Sequence, residues 1–132
     1  MSRQVLIADD NSVVRHIIKS FLTLREDLAV CGEAVNGLEA VEKAKTLKPD
    51  LVLLDLAMPE MNGAEAAFVM KKALPEVPII LFTMYGENIG RYLTSAVGVD
   101  TVLCKQDGLT KLGKAVDDIL GLDSPHNKTA TA

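Results

Sequence analysis

Cysteine, excess positive charge and long apolar runs are all scarce in this sequence. The two cysteines, Cys31 and Cys104, sit in or at the end of short apolar runs with neither CxxC spacing nor nearby histidines. That argues against a thiolate or imidazole metal centre and reads both as small buried hydrophobes. Fourteen Lys and Arg against eighteen Asp and Glu leave a formal net charge of −4, which speaks against an extended basic footprint for nucleic acid or an anionic membrane. A metal or a protein partner suits this charge better. No apolar run approaches the ~20 residues that span a bilayer. Met1-Ser2-Arg3-Gln4 leads into a short apolar run without a signal-peptide pattern, so the expected location is the cytoplasm. Of the two histidines, His16 lies among Arg15 and Lys19 on an expected helix and His126 lies in a polar tail; both read as solvated.

What is present is apolar residue in short, regular blocks. Hydrophobic residues make up 48% of the 132, enough for a sizeable core in one compact domain of about 100–150 residues. Five apolar runs recur: Val5-Leu6-Ile7-Ala8, Leu28-Ala29-Val30-Cys31, Leu51-Val52-Leu53-Leu54, Ile79-Ile80-Leu81-Phe82 and Thr101-Val102-Leu103-Cys104. Most are continuous rather than alternating, as strands must be when helices cover both faces of their sheet. Between them the period changes to helical. Val14, Ile17, Ile18, Phe21 and Leu22 share one face, with Arg15, His16 and Lys19 pointing elsewhere. A second helix is expected from about Asn36 to Leu47, ended by Pro49, and a third from Asn62 to Leu74, stopped by Pro75. A fourth, roughly Glu87 to Val97, is weakened by Gly86 and Gly90, because glycine costs about 1 kcal/mol relative to alanine inside a helix. The last carries Leu109, Leu112, Val116, Ile119 and Leu120. Residues 1–121 therefore read as one domain and 122–132 as a polar tail or the start of a linker.

Five strands alternating with five helices predict an α/β fold: a flavodoxin-like, doubly wound (βα)5 unit with a five-stranded parallel sheet of order 2-1-3-4-5. Ligands of such sheets bind beyond the carboxyl ends of the strands, at the switch point between strands 1 and 3. Strand 1 ends in Asp9-Asp10 and strand 3 in Asp55, so three carboxylates converge. Two full charges ~5 Å apart repel by roughly 3 kcal/mol at an effective dielectric of 20, and a divalent cation resolves that repulsion. All-oxygen ligands favour a hard ion, and Mg²⁺ tolerates incomplete protein coordination because it keeps several waters. Asp9, Asp10 or Asn11 would also serve as a helix cap, but a cap does not account for Asp55. Strand 4 ends in Thr83 and strand 5 in Lys105. Each is unremarkable alone. Together with three acids and a cation, a hydroxyl and an ammonium make the set that phosphoryl transfer to a carboxylate requires.

These residues resemble the receiver domains of two-component response regulators, over the chain up to about Leu120. The match comprises Asp9-Asp10, the segment Asp55-Leu56-Ala57-Met58-Pro59-Glu60-Met61-Asn62-Gly63, Thr83 and Lys105. The resemblance implies that Asp55 is the phosphoacceptor, that Asp10 and Asp55 ligate Mg²⁺ with the Ala57 carbonyl as a third protein ligand, and that Asp9 helps mainly through bound water. It implies a phosphohistidine donor on a sensor histidine kinase or a histidine phosphotransfer protein. It also implies a switch in which the new dianion draws in Thr83 and reshapes the surface of the fourth helix, fifth strand and fifth helix. Receivers often pair through that surface. The expected role is thus a signalling switch rather than an enzyme on an external substrate, acting alone or as the N-terminal part of a longer regulator. No helix-turn-helix is left over after the five βα units, so no nucleic acid is expected to bind here.

Three positions depart from the family pattern. Val102 stands where many receivers carry an aromatic ring that turns inward with the threonine. Gln106 replaces a common proline, and without proline a trans Lys105–Gln106 bond is expected, since a cis bond costs about 3–4 kcal/mol. Ala57 and Tyr85 occupy the positions that tune dephosphorylation in the family; alanine cannot orient a water through its side chain, so slow autodephosphorylation is expected. Two other readings compete: a degenerate receiver acting only as an interaction module, and a phosphohydrolase with an aspartyl-phosphate intermediate. The second typically needs an Asp-x-Asp pattern after strand 1, which Asp9-Asp10-Asn11 does not supply.

Overall fold

A computed structural model of the chain describes residues 2–84 and 96–122. Its elements run β1 (Arg3–Ala8), α1 (Ser12–Leu22), β2 (Leu28–Ala34), α2 (Gly37–Leu47), β3 (Leu51–Leu54), α3 (Gly63–Ala73), β4 (Ile79–Thr83), β5 (Thr101–Cys104), a 3-10 turn (Lys105–Asp107) and α4 (Gly108–Leu120). The five strands form one parallel sheet in the order β2-β1-β3-β4-β5, the flavodoxin-like order expected. The helix expected at 87–97 falls outside the described residues except for its last two positions, and so does the tail beyond Leu122. Thus α4 here is the last of the five helices read from the sequence.

Alternation along the central strands divides the core between the two faces of the sheet. Leu6, Ala8, Val52, Leu54, Ile79 and Leu81 pack with Ala40, Val41 and Ala44 of α2 and with Ala66, Ala67 and Met70 of α3. Val5, Ile7, Leu51, Leu53, Ile80 and Phe82 pack with Ile18 and Leu22 of α1 and with Leu112, Val116 and Leu120 of α4. Both side-chain sets are buried, which is why these strands read as continuous apolar runs.

The helix starts follow from side-chain caps. Asn11 accepts from the Val13 and Val14 amides at 2.9 and 3.1 Å, Asn36 from Glu39 at 2.7 Å, and Asn62 forms a reciprocal capping box with Glu65. Two glycines let α2 and α3 close on the loop after β3. A Cβ on Gly63 would lie 2.2 Å from the Asp55 carbonyl oxygen, and one on Gly37 would lie 2.0 Å from that of Met61.

Some local expectations need correction. Strand β2 continues past Cys31 to Ala34, and its register with β1 shifts between Val5 and Leu6. This strand lies at the sheet edge beside β1, its burial is partial, and Gly32-Glu33 interrupts the apolar signal. Ile17 is 47% exposed: the buried stripe of α1 centres on Ile18 and Leu22, and Ile17 falls at its rim. Cys31 and Cys104 are half-buried rather than buried.

Candidate functional site

The carboxyl edge of the sheet gathers the acidic residues because β1 and β3 are adjacent. Their register pairs Ala8 with Leu54, so Asp9 and Asp55 leave the sheet side by side. The Asp55 amide donates to the Ala8 carbonyl at 2.9 Å, and the Asp9 amide donates to the Ala34 carbonyl at 3.0 Å. Asp9 and Asp55 are buried while Asp10 is exposed. One carboxylate oxygen from each of Asp9, Asp10 and Asp55 lies within 4.8 Å of the others, close enough to share one cation.

Of the three residues that could cap α1, the cap is Asn11. The helix cap is therefore not the role of either carboxylate of the acidic pair. Asp9 is held from two sides: Oδ1 accepts from the Asn11 amide at 2.9 Å, and Oδ2 accepts from Lys105 Nζ at 2.7 Å. The same ammonium stands 3.3 Å from Asp55 Oδ1. Burial first, and then the charge of Asp9, raise the Asp55 carboxyl above its ordinary range; Lys105 pulls it the other way. Three carboxylates against one ammonium leave the cluster net negative when ionised, a charge that a hard divalent cation would neutralise, and its donors are all oxygens.

Thr83 closes β4, fully buried, opposite Cys104 in the register with β5. Lys105 follows that strand directly in the 3-10 turn, and the Lys105–Gln106 bond is trans as expected. Ala57 is exposed two residues beyond Asp55. Val102 is half-buried against the α2/α3 side of the core, and Tyr85 lies outside the described residues.

The sequence profile of the response regulator receiver domain matches residues 5–117. The chain belongs to the response regulator receiver family. Among curated relatives, the receiver is 39% identical over 116 residues to the response regulator protein VraR of Staphylococcus epidermidis, a match that covers 88% of this chain. It spans only 56% of that relative's length. Among solved structures, the response regulator domain of Thermotoga maritima CheB superposes with a TM-score of 0.82 at 29% identity, covering 94% of this chain and all of that one. The isolated receiver domain of RcsB from Salmonella enterica serovar Typhimurium, solved in the presence of the phosphomimetic BeF3−, gives a TM-score of 0.79 at 25% identity over 88% and 86% of the two chains.

Sequence reasoning missed one participant at this edge. Arg15 was expected to point away from the fold, yet it reaches under the receiver's β1–α1 turn, with Nη1 2.7 Å from the Asp9 carbonyl oxygen and Nε 3.2 Å from Glu33 Oε1. Its side chain is only 15% exposed. No spacing rule pairs Arg15 with Glu33, because the contact exists only once β2 lies beside β1.

Proposed function

We propose that this receiver, residues 1–121, accepts a phosphoryl group on Asp55 from a phosphohistidine of a sensor histidine kinase or histidine phosphotransfer protein, in a Mg²⁺-dependent reaction. The observation that carries the reading is the buried Asp55 carboxylate, with an ammonium at 3.3 Å and two further carboxylates within one cation's reach. Asp10, Asp55 and the Ala57 carbonyl would hold Mg²⁺ directly, with Asp9 acting through bound water. When bound, the ion offsets charge on the phosphoryl oxygens.

The chain's own residues do the rest. An Asp55 oxygen attacks phosphorus in line as the bond to the donor nitrogen breaks, and the imidazole leaves with the electron pair and takes a proton. Lys105, paired with Asp9 before the reaction, turns its ammonium to a phosphoryl oxygen, and Thr83 donates its hydroxyl to another. The surface formed by the segment before β5, β5 itself and α4 then signals to an effector domain, a target protein or a second receiver. The receiver would act in the cytoplasm, alone or as the N-terminal part of a longer regulator; the match spans 56% of the length of VraR. With Ala57 offering no side chain to orient water, the phosphoryl group is lost slowly, and the receiver turns over only its own phosphoryl group.

Incubation with Mg²⁺ and acetyl phosphate, read by intact mass, tests this. Wild type should gain one phosphoryl group and Asp55→Asn none. Labelling that survives the substitution would refute the acceptor assignment. No adduct with either acetyl phosphate or beryllium fluoride would favour a pure interaction module, and continuous phosphate release a hydrolase.

A further inference from the structure

We propose that Arg15 is a positioning residue for the cation site, holding the Asp9–Asp10 turn where its carboxylates can share an ion with Asp55. The inference rests on reading the acidic cluster as a cation site. Arg15 lies in the first half of α1, and a long cationic side chain there would ordinarily extend into water with its rotamer freedom intact. Here it folds back. One arm of its guanidinium fork donates to the Asp9 carbonyl and another to Glu33, and the planar fork fixes both acceptors at once.

The partner is itself anchored. Glu33 lies near the end of β2 and pairs with Ile7 of β1 across the sheet. Its carboxylate also accepts from Lys19 Nζ at 3.4 Å, and its backbone carbonyl accepts from Lys43 of α2. Burial would raise the Glu33 carboxyl, but Arg15 and Lys19 outweigh that and hold it below the usual carboxylate range. The turn is therefore tied to α1 and β2 through a two-point guanidinium contact that is part-buried at both acceptors.

Charge makes this arrangement informative. A guanidinium beside a divalent cation is unfavourable by Coulomb's law, so Arg15 has no business near the site as a charge. The anionic Glu33 carboxylate cancels it, leaving geometry as its contribution. The two roles predict opposite signs. If Arg15 acts only as a nearby charge, its removal tightens cation binding; if it positions the turn, its removal loosens binding. Residues that orient metal ligands commonly alter affinity by about 10–100-fold.

The test is the Mg²⁺ and Mn²⁺ dissociation constants of wild type, Arg15→Ala and Arg15→Lys, measured by calorimetry at fixed ionic strength, with circular dichroism reporting the fold. Arg15→Ala should weaken both ions about tenfold and raise by the same factor the Mg²⁺ concentration that half-saturates phosphorylation by acetyl phosphate. Arg15→Lys keeps the charge but cannot reach both acceptors, and should weaken binding several-fold; it carries the test should the alanine variant fail to fold. Unchanged or tighter binding in a folded Arg15→Ala, or unchanged binding in Arg15→Lys, would overturn the proposal. Failure of the wild type to bind either ion would instead overturn the cation site itself.

Discussion

At the scale of single residues, the burial of Asp55 works against its ionised form. Its carboxyl titrates above the ordinary range because it is buried and faces Asp9. A raised folded-state value means that the native state holds this proton more tightly than the unfolded chain does. The corresponding stability is fully present below the unfolded value near 4 and is lost as pH rises through the folded value. At neutral pH, without a divalent cation, the ionised Asp55 therefore costs stability. Asp55→Asn should raise the melting temperature at pH 7. Lys105 keeps its 2.7 Å partner Asp9 in that variant, so no ammonium is stranded. Melting curves of the two proteins at pH 7 and at pH 3.5 check the sign: the gain should vanish in acid, where wild-type Asp55 is already protonated.

Among the elements, the C-terminal helix α4 is pinned by an ion pair rather than by packing alone. Arg25, in the turn after α1, grips Asp27 at 2.9 and 2.7 Å and also donates to Asp117 of α4. Asp117 is 1% exposed, and its Oδ2 has no hydrogen-bond partner among the described residues. Removing Arg25 would leave a buried carboxylate uncompensated, which costs about 3–5 kcal/mol. Arg25→Ala should lose stability of that order in urea denaturation, whereas the double variant Arg25→Met with Asp117→Leu should recover most of it. Asp117 also marks where sequence reading stops. The strand-end residues Asp9, Asp10, Asp55, Thr83 and Lys105 were legible because four of the apolar runs end abruptly in a polar group, and the order followed from the crossover rule; β2, whose run continues past Cys31 to Ala34, reads short in the sequence. An acid beside Asp118 on an amphipathic helix looks like solvated surface; only the approach of the α1–β2 turn makes it a buried anchor. Arg15 is hidden in the same way, and Gly37 and Gly63 show their purpose only when α2 and α3 close on the loop after β3.

Across the whole molecule, the sheet order brings the two functional strand ends together. Because β1 lies beside β3, sites far apart in sequence form one acidic edge, met by Lys105 from the 3-10 turn after β5. A ligand that binds only the folded state stabilises it by mass action, by about 2.7 kcal/mol at a concentration one hundred times its dissociation constant. Mg²⁺ should accordingly raise the melting temperature of the wild type, and Asp10→Asn should abolish most of that rise; an equal rise in both proteins would place the ion elsewhere. The central claim concerns where the phosphoryl group resides. An acyl phosphate is reduced by borohydride to homoserine, so reduction of the phosphorylated receiver followed by peptide mapping reads out the acceptor directly. Phosphorylation of Asp55 predicts homoserine at position 55 alone. Homoserine at position 9 or 10, or a phosphoryl group that borohydride leaves intact on a hydroxyl side chain, would contradict it.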